Sequence, residues 1–567
     1  MRRLGDLLDD RIGWRRLARE ALGEPVPGGA RFAYVFGSVV VVLLAVQILA
    51  GIALAFFYSP GTLSAWASVA YLEGSVPAGA FLRATHRWGA SALVVALALH
   101  LGQTALFGAY RRPREVGWWS GLCLGAIVLA FALTGYLLPW DQRGYWATRV
   151  ATGIAGSVPL VGPFLRSVAL SGSGMGNLTL TRFYALHAVL LPALLLACFA
   201  LHLASFRRHG VTPPAGADES RVGRFYPDQL WRDGLVALVA VGLVFALALR
   251  FGAPLEGPAD PAGHAEPRPE WYFRPLYELL KLGGGKGELV LALLVPLLAV
   301  AFLVALPILD RAKGRAISGR LAPLGALFGM GAVALALLGR SLWSDAHDPA
   351  YRRAEREAMQ TGRRALALAE HGVPPEGPLA MLAADPVSRG EALFARRCAG
   401  CHAPPSEAAR KGPDLTGYLS PAWIAGLLRE PDDPRYYGRT RAVHGMDGYG
   451  SLGDTKLRLL AEFLSSLGGQ PVPSAALPPA LAAGKAEFLA AACDACHSLE
   501  PGEPGAGPSL SGYGGDPWLD GFLVDPGGDL YFASDNGMPS IGAKLSPEDR
   551  KALVAWLRAE RGEAPSP

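Results

Sequence analysis

Two pentapeptides carry the plainest chemistry in the chain: Cys398-Ala-Gly-Cys401-His402 and Cys493-Asp-Ala-Cys496-His497. In C-x-x-C-H the two thiols can form thioethers to a porphyrin while the adjacent histidine ligates its iron. A zinc site would want a second ligand pair at short distance, and neither motif has one. A redox dithiol would not call for the same pentapeptide twice. The reading is two covalent haem c groups, attached at Cys398, Cys401, Cys493 and Cys496, with His402 and His497 as axial ligands. The chain has 7 Met, and a single one follows each motif, Met446 and Met538. A thioether as second axial ligand raises a haem potential. His444 stands two residues before Met446, so the first haem could instead take a histidine.

Four further histidines lie in apolar stretches. His86 and His100 share one stretch, His187 and His202 another. Separations of 14 and 15 residues put each pair roughly on one helical face, about 21 Å apart along the axis. If both stretches cross a membrane in the same direction, His86 faces His187 at one level and His100 faces His202 at the other. Two non-covalent bis-histidine haems stacked across the membrane follow from that pairing. Gly37 and Gly51, and likewise Gly121 and Gly135, are also 14 apart. Glycine there leaves room for close approach of a flat macrocycle. Cys123 and Cys198 lie in apolar runs, where a free thiol is usually a small core hydrophobe.

The elements that must position these residues are membrane spans. Of 567 residues, 51% are hydrophobic and only 18% charged, less than the roughly 25% charged residues of soluble domains. Neither a purely soluble enzyme nor a disordered chain fits this balance. Residues 1–387 carry 36 Lys/Arg against 26 Asp/Glu, and 388–567 carry 17 against 22. The basic excess sits in the apolar part, where it sets membrane orientation rather than binding nucleic acid. Seven stretches are long enough to cross a bilayer, near 33–57, 84–106, 116–138, 184–205, 231–250, 288–309 and 321–340. Basic clusters follow every second one: Arg111, Arg112 and Arg114; Arg207 and Arg208; Arg311, Lys313, Arg315 and Arg320. The N-terminus is therefore expected in the cytoplasm and the tail outside, in the compartment where haem c is attached. Residues 1–30, with Arg11, Arg15, Arg16 and Arg19 among Leu7, Leu8, Trp14 and Leu17, read as an amphipathic interfacial helix.

Four short motifs give these features a family likeness. His86-Arg87-Trp88, Pro139-Trp140-Asp141-Gln142, Gly144-Tyr145-Trp146-Ala147 and Pro269-Glu270-Trp271-Tyr272 resemble cytochrome b of the Rieske/cytochrome b complexes. The likeness covers about residues 1–340. The 15-residue spacing of His187 and His202 and the three-span second half resemble the chloroplast branch, in which cytochrome b is split from a subunit IV. Here both parts are one chain. That branch carries an additional haem on one cysteine of the first span; Val35 stands at the matching position, so that haem is not expected. Gly390-Glu-Ala-Leu-Phe and Gly412-Pro413-Asp414-Leu415, echoed by Gly484-Lys-Ala-Glu-Phe and Gly507-Pro508-Ser509-Leu510, resemble small monohaem cytochrome c domains.

The resemblance implies a quinol:cytochrome c oxidoreductase coupled to proton translocation. Its quinol pocket is lined by the Pro139–Thr148 segment, with Tyr145, and by the Pro269–Tyr272 turn. Glu270 is then the proton acceptor and Tyr272 a neighbour that shapes the pocket; burial can tune such a carboxylate for proton transfer. Arg83 could pair with a propionate of the outer haem. Arg207, Arg208, Asp228 and Asp233 flank the inner haem and could serve a quinone-reduction site, although orientation alone explains the arginines. The chain has no spare cysteine and histidine set for a [2Fe–2S] centre, so a Rieske protein is an expected partner. A cytochrome c or oxidase, soluble or membrane-bound, is the expected acceptor, lipid and quinone surround the chain, and a homodimer is expected. The rival reading is a Rieske-independent quinol dehydrogenase feeding a periplasmic reductase.

The expected architecture is all-α. It comprises an interfacial helix (1–30), a four-helix haem-binding domain (31–220), a three-helix domain (221–340), a linker (341–387) and two small cytochrome c domains (388–469 and 470–567). The whole is expected in the inner membrane, with the cytochrome c domains periplasmic.

Overall fold

Long runs of Leu, Val, Ala and Ile form helices here because hydrocarbon offers backbone groups no alternative partner. The computed structural model describes residues 6, 9–170, 174–263, 268–284, 286–403, 409–438, 445–468, 477–532 and 537–562. They fall in two units, Met1–Leu379 and Ala380–Pro567. In the first unit six helices are long and apolar enough to span: Phe36–Ala55, Gly79–Phe107, Glu115–Leu137, Asn177–His209, Phe225–Phe251 and Ile317–His347. They are the first to fifth and the seventh spans. The sixth expected span is the 24-residue helix Lys286–Leu309, whose apolar stretch, Leu293–Leu309, is shorter. Leu49, Leu238, Leu297 and Leu335 point outward, apolar side chains that lipid must cover. Leu43, Leu93, Val128, Leu195 and Val244, one from each of the first five spans, form the shared core. The protein is a multi-pass membrane protein.

Two devices join the last spans to the first four. Pro307 in the sixth span removes the N–H that would bond to the Leu303 carbonyl. Trp118 of the third span fills the vacancy, its indole Nε1 donating to Leu303 O at 2.7 Å. At the start of the seventh span Arg320 is fully buried. It donates to the Ala105 and Leu106 carbonyls at 2.7 and 2.5 Å, where the second span ends, and to Arg315 O at 2.8 Å. Nearby, the Tyr110 hydroxyl donates to Asp310 at 2.6 Å.

At the other end, the chain leaving the fifth span runs back over the segment after the third. Gln142 N donates to Gly257 O at 3.0 Å, Ala259 N to Trp140 O at 2.9 Å and Trp66 Nε1 to Glu256 O at 2.9 Å. Arg143 pairs with Glu256 at 2.6 Å. One pair of short strands, Pro25–Pro27 against Val222–Arg224, qualifies the all-helical expectation.

The expected linker at 341–387 is largely structured. Asp345, at the end of the seventh span, binds Arg268 at 3.0 Å and Arg274 at 2.6 Å. Asp348 then caps a further helix, Pro349–Ala369, by accepting from Ala350 N and Tyr351 N. Buried ion pairing holds this stretch to the outer loops, which polarity and helix propensity alone did not reveal.

Among the described residues the second unit has six helices of nine residues or more: α1 (Pro386–Arg397), α2 (Pro421–Arg429), α3 (Asp454–Ser466), α4 (Pro479–Ala490), α5 (Asp516–Val524) and α6 (Pro547–Glu560). Asp385, Ser420 and Ser546 cap α1, α2 and α6, each just before a proline at the first helical position. The sequence predicts two self-contained repeats, 388–469 and 470–567. The structure instead exchanges their halves: α1 packs on α6, and α4 packs on α3. Both pairings bring the same kinds of face together, so the repeat pattern alone does not choose between them.

Arg320→Met is expected to deprive the Ala105, Leu106 and Arg315 carbonyls of their shared donor, at a cost of about 2–4 kcal/mol. Thermal unfolding of the solubilised protein should show a clear fall in Tm, partly restored in Arg320→Lys. An unchanged Tm would mean the guanidinium does not join the two halves.

Candidate functional site

Of the four intramembrane histidines, His86 and His187 come together, their ring centroids 6.4 Å apart and their planes inclined at 67°. Two imidazoles each about 2 Å from a shared metal leave their ring centres roughly 6 Å apart, so the gap suits one iron. His100 and His202 lie 14 and 15 residues further along the same two helices.

Each of the four glycines lies against one of these rings. A Cβ on Gly51 or Gly135 would come within 3.2 Å of His86 Cε1 or 2.7 Å of His187 Cε1. On Gly37 or Gly121 it would meet His100 or His202 Cε1 at 3.3 Å. The glycine spacing therefore follows the histidine spacing because each glycine admits one imidazole.

Hydrogen bonds settle which ring nitrogen is free. Thr134 Oγ1 donates to Ala130 O at 2.8 Å and lies 3.1 Å from His187 Nδ1. Its only proton is used, so Nδ1 must be the donor of that pair. Ser120 does the same for His202: its hydroxyl donates to Gly117 O and accepts from Nδ1 at 3.0 Å. Gln103 donates its amide to Ala33 O at 2.6 Å, which turns its oxygen to His100 Nδ1 at 3.2 Å. All three histidines keep an Nε2 lone pair for a metal. His86 Nδ1 is buried with no hydrogen-bond partner, and Gln47 donates to the His86 carbonyl at 2.9 Å.

These orienting groups escaped the sequence reading. The signal was present, since Ser120 and Thr134 each stand one residue before Gly121 and Gly135 and so repeat the same 14-residue interval.

The tail motifs follow one design. His402 Nδ1 donates to Pro413 O and His497 Nδ1 to Pro508 O, both at 2.8 Å. A carbonyl can only accept, so Nε2 is again left for iron. A Cβ on Gly412 or Gly507 would come within 2.7 or 2.6 Å of the ring it faces. Cys398, Cys401, Cys493 and Cys496 are free thiols. Met446 and Met538 both pack in cores that contain a motif cysteine, and His444 lies outside the described residues.

At the His86 end of the bundle, Glu270 lies 3.6 Å from the guanidinium of Arg87, the residue after His86. Trp271 donates to Ser91 Oγ at 3.3 Å, so the turn rests on the second span. Burial raises the Tyr272 phenol above its usual pKa, and the nearby Glu270 carboxylate adds to the effect. Tyr145 is buried in a separate aromatic cluster, its ring 5.5 Å from Trp140 and from Trp146. Among the described residues no hydrogen bond or ion pair joins Tyr145 to Glu270. Asp141, raised by burial, caps the helix that carries Tyr145 by accepting from Gly144 N at 2.8 Å. Arg83 binds Glu73 and the Ala253 carbonyl. Near the start of the first and fifth spans Asp233 is buried and accepts from Ser38 and Gln229, both at 2.7 Å.

Paired imidazoles inside a helical membrane bundle, with two C-x-x-C-H sites in an appended unit, define a membrane cytochrome with both b-type and c-type haem sites. Residues 21–210 match the family model for cytochrome b/b6/petB, and 258–348 the one for cytochrome b(C-terminal)/b6/petD. Residues 387–468 match cytochrome c, and 479–557 cytochrome c oxidase, cbb3-type, subunit III. Cytochrome b6 of Prochlorococcus marinus (strain MIT 9303) is 37% identical over 209 residues, covering 37% of this chain and 96% of its own length. The cytochrome bc complex cytochrome b subunit of Chlorobaculum thiosulfatiphilum is 34% identical over 313 residues, covering 54% of this chain and 72% of its own. A solved structure described as hyperthermophilic respiratory Complex III aligns with a TM-score of 0.53 at 25% identity, over 65% of this chain and 96% of that one. The chain belongs to the cytochrome b family of bc-type complexes, with cytochrome c domains fused at its C-terminal end.

Gly135→Val is expected to close the gap beside His187 and deplete the outer b haem. The ratio of b to c haem in a pyridine haemochrome assay should fall by about half, while Gly125→Val, whose added Cβ meets nothing within 4 Å, serves as the control. Equal ratios in both variants would dissociate Gly135 from haem binding.

Proposed function

We propose that this chain oxidises quinol on the outer side of the membrane as the b- and c-haem subunit of a quinol:cytochrome c oxidoreductase. The observation that carries this reading is the seat of Glu270, held beside Arg87, the residue that follows the candidate haem ligand His86. Membership of the bc-type family supports electron transfer from quinol to cytochrome c. The Glu270 side chain is 20% exposed, so it can take a proton from a buried hydroxyl and still reach water. Tyr272, kept protonated by burial, is suited to donate a hydrogen bond to a quinol oxygen. Arg87 holds a cation beside the carboxylate as its charge changes.

Two b haems on His86/His187 and His100/His202, and two c haems on the tail, supply one-electron carriers when bound. A two-electron donor must then part with its electrons singly. A separate Rieske [2Fe–2S] protein takes one of them towards the tail, and a cytochrome c or oxidase is the final acceptor. The second electron passes inward while protons leave outward, which couples turnover to proton translocation. In this reading the tail is periplasmic, the N-terminus is cytoplasmic and the complex is a homodimer.

Glu270→Gln is expected to slow quinol oxidation about 10²–10⁴-fold with all haems retained. Turnover measured across a pH series would sink the proton role if it matched the unaltered chain throughout. The native complex should also give equal amounts of b and c haem in its haemochrome spectrum, and a ratio far from unity would refute the count of two each.

A further inference from the structure

The exchange of halves in the tail changes which methionine can reach which haem. In α1, Phe394 stacks on Trp556 of α6, ring centres 4.2 Å apart. Arg389 pairs with Asp549 at 2.6 Å. Gly390 lies against the Ala552 carbonyl, a contact no side chain would permit. The other pairing mirrors this one. Gly484 of α4 lies against the Leu459 carbonyl of α3, Phe488 meets Phe463 at 5.9 Å and Lys456 pairs with Glu487 at 3.0 Å.

The cores follow the helices. Cys398 is buried with Trp518, Leu519, Leu523 and Leu553, and both Phe394 and Met538 pack on that cluster. Phe394 is also the ring beside His402, at 6.4 Å. Cys493 packs on the cluster of Trp423, Leu457 and Phe463, and so does Met446. Tyr449, three residues after Met446, packs on the same cluster. Each C-x-x-C-H motif thus shares a core with the methionine of the other repeat.

We propose that the two c haems are ligated across the repeats, His402 with Met538 and His497 with Met446. Each haem pocket takes its attachment motif from one repeat and its thioether from the other. The tail is then one interlocked diheme unit and not two modules in series. Removing residues 470–567 would take both α6 and Met538 from the haem attached at Cys398 and Cys401. The inference rests on reading both pentapeptides as haem-attachment sites.

The first test uses the full-length chain in detergent, treated with a carbodiimide that joins amine to carboxylate with loss of water. Peptide mapping of the monomeric band is expected to recover a Lys456–Glu487 amide. In self-contained repeats the position equivalent to Glu487 next to α3 is Leu393, which cannot react. Absence of the Lys456–Glu487 link while other lysines react would overturn the exchange.

The second test reads ligation directly. In the full chain carrying Cys493→Ala and Cys496→Ala, only the first haem attaches. There Met538→Leu is expected to abolish the methionine–iron charge-transfer band, whereas Met446→Leu leaves it. With Cys398→Ala and Cys401→Ala instead, the two effects should swap. The opposite pattern, each methionine serving its own repeat, would overturn the proposal. A failure of the underlying haem reading looks different: no covalent haem stains in the unaltered chain. Variants too unstable to purify leave the cross-link on the unaltered chain as the deciding result.

Discussion

An imidazole can hold iron only through a nitrogen that carries no proton, and inside a bilayer nothing but the protein can decide which nitrogen that is. Here Thr134, Ser120 and Gln103 each consume their own donor elsewhere and so oblige a histidine Nδ1 to give its proton. In the tail two proline carbonyls impose the same choice. The helix arrangement follows from this need. The third span must present Ser120 and Thr134 to the fourth at the depth of His202 and His187, and the glycine after each must let the imidazole in. Side-chain shape and hydrogen-bond donors are matched at the same two levels, about 21 Å apart by helical rise.

The remaining spans are tied to this core through backbone groups that hydrocarbon would otherwise leave unpaired. A proline in the sixth span releases a carbonyl and a tryptophan of the third takes it up. Arg320 collects the carbonyls at the end of the second span, so a helix terminus becomes an attachment point. On the outer side the strap from Gly257 to Ala259 performs the corresponding task, fixing the Trp140–Gln142 corner.

The haem-ligand pattern was legible in the sequence because periodicity carries it. Fourteen residues nearly complete four helical turns, so His86 and His100, Gly37 and Gly51, and Gly121 and Gly135 each mark one face of one helix. Span positions were legible for a similar reason, length and lipid compatibility being properties of a single segment. Contacts between distant segments were not. The Glu73 side chain and the Ala253 carbonyl that Arg83 binds come from segments that no local pattern links to it. Polar residues at 341–387 suggested a linker, and only the meeting of Asp345 with Arg268 and Arg274 makes that stretch part of the membrane unit.

The tail shows the same limit in its sharpest form. Two homologous halves present equivalent faces, so self-contained and exchanged pairings satisfy the same hydrophobic pattern, and the choice falls to the hinges between halves. Both hinges turn through positive φ just before a helix: Gly417 and Leu419 before α2, Gly512 and Gly514 before α5. Leu419 is almost fully buried despite a conformation that a branched side chain resists, and Ser465 donates to its carbonyl at 2.9 Å. A Cβ on Gly514 would come within 2.8 Å of that leucine, so the two hinges pack directly on each other. Tyr418 and Tyr513, partly buried beside them, pack on both hydrophobic clusters. Hinges that stabilise one another can hold both halves in the exchanged position at once. Neither repeat could return to its own partner without dismantling the contact that supports the other. Strain at Leu419 is therefore retained where it fixes the pairing, and the reciprocity of the swap follows from one junction shared by both repeats.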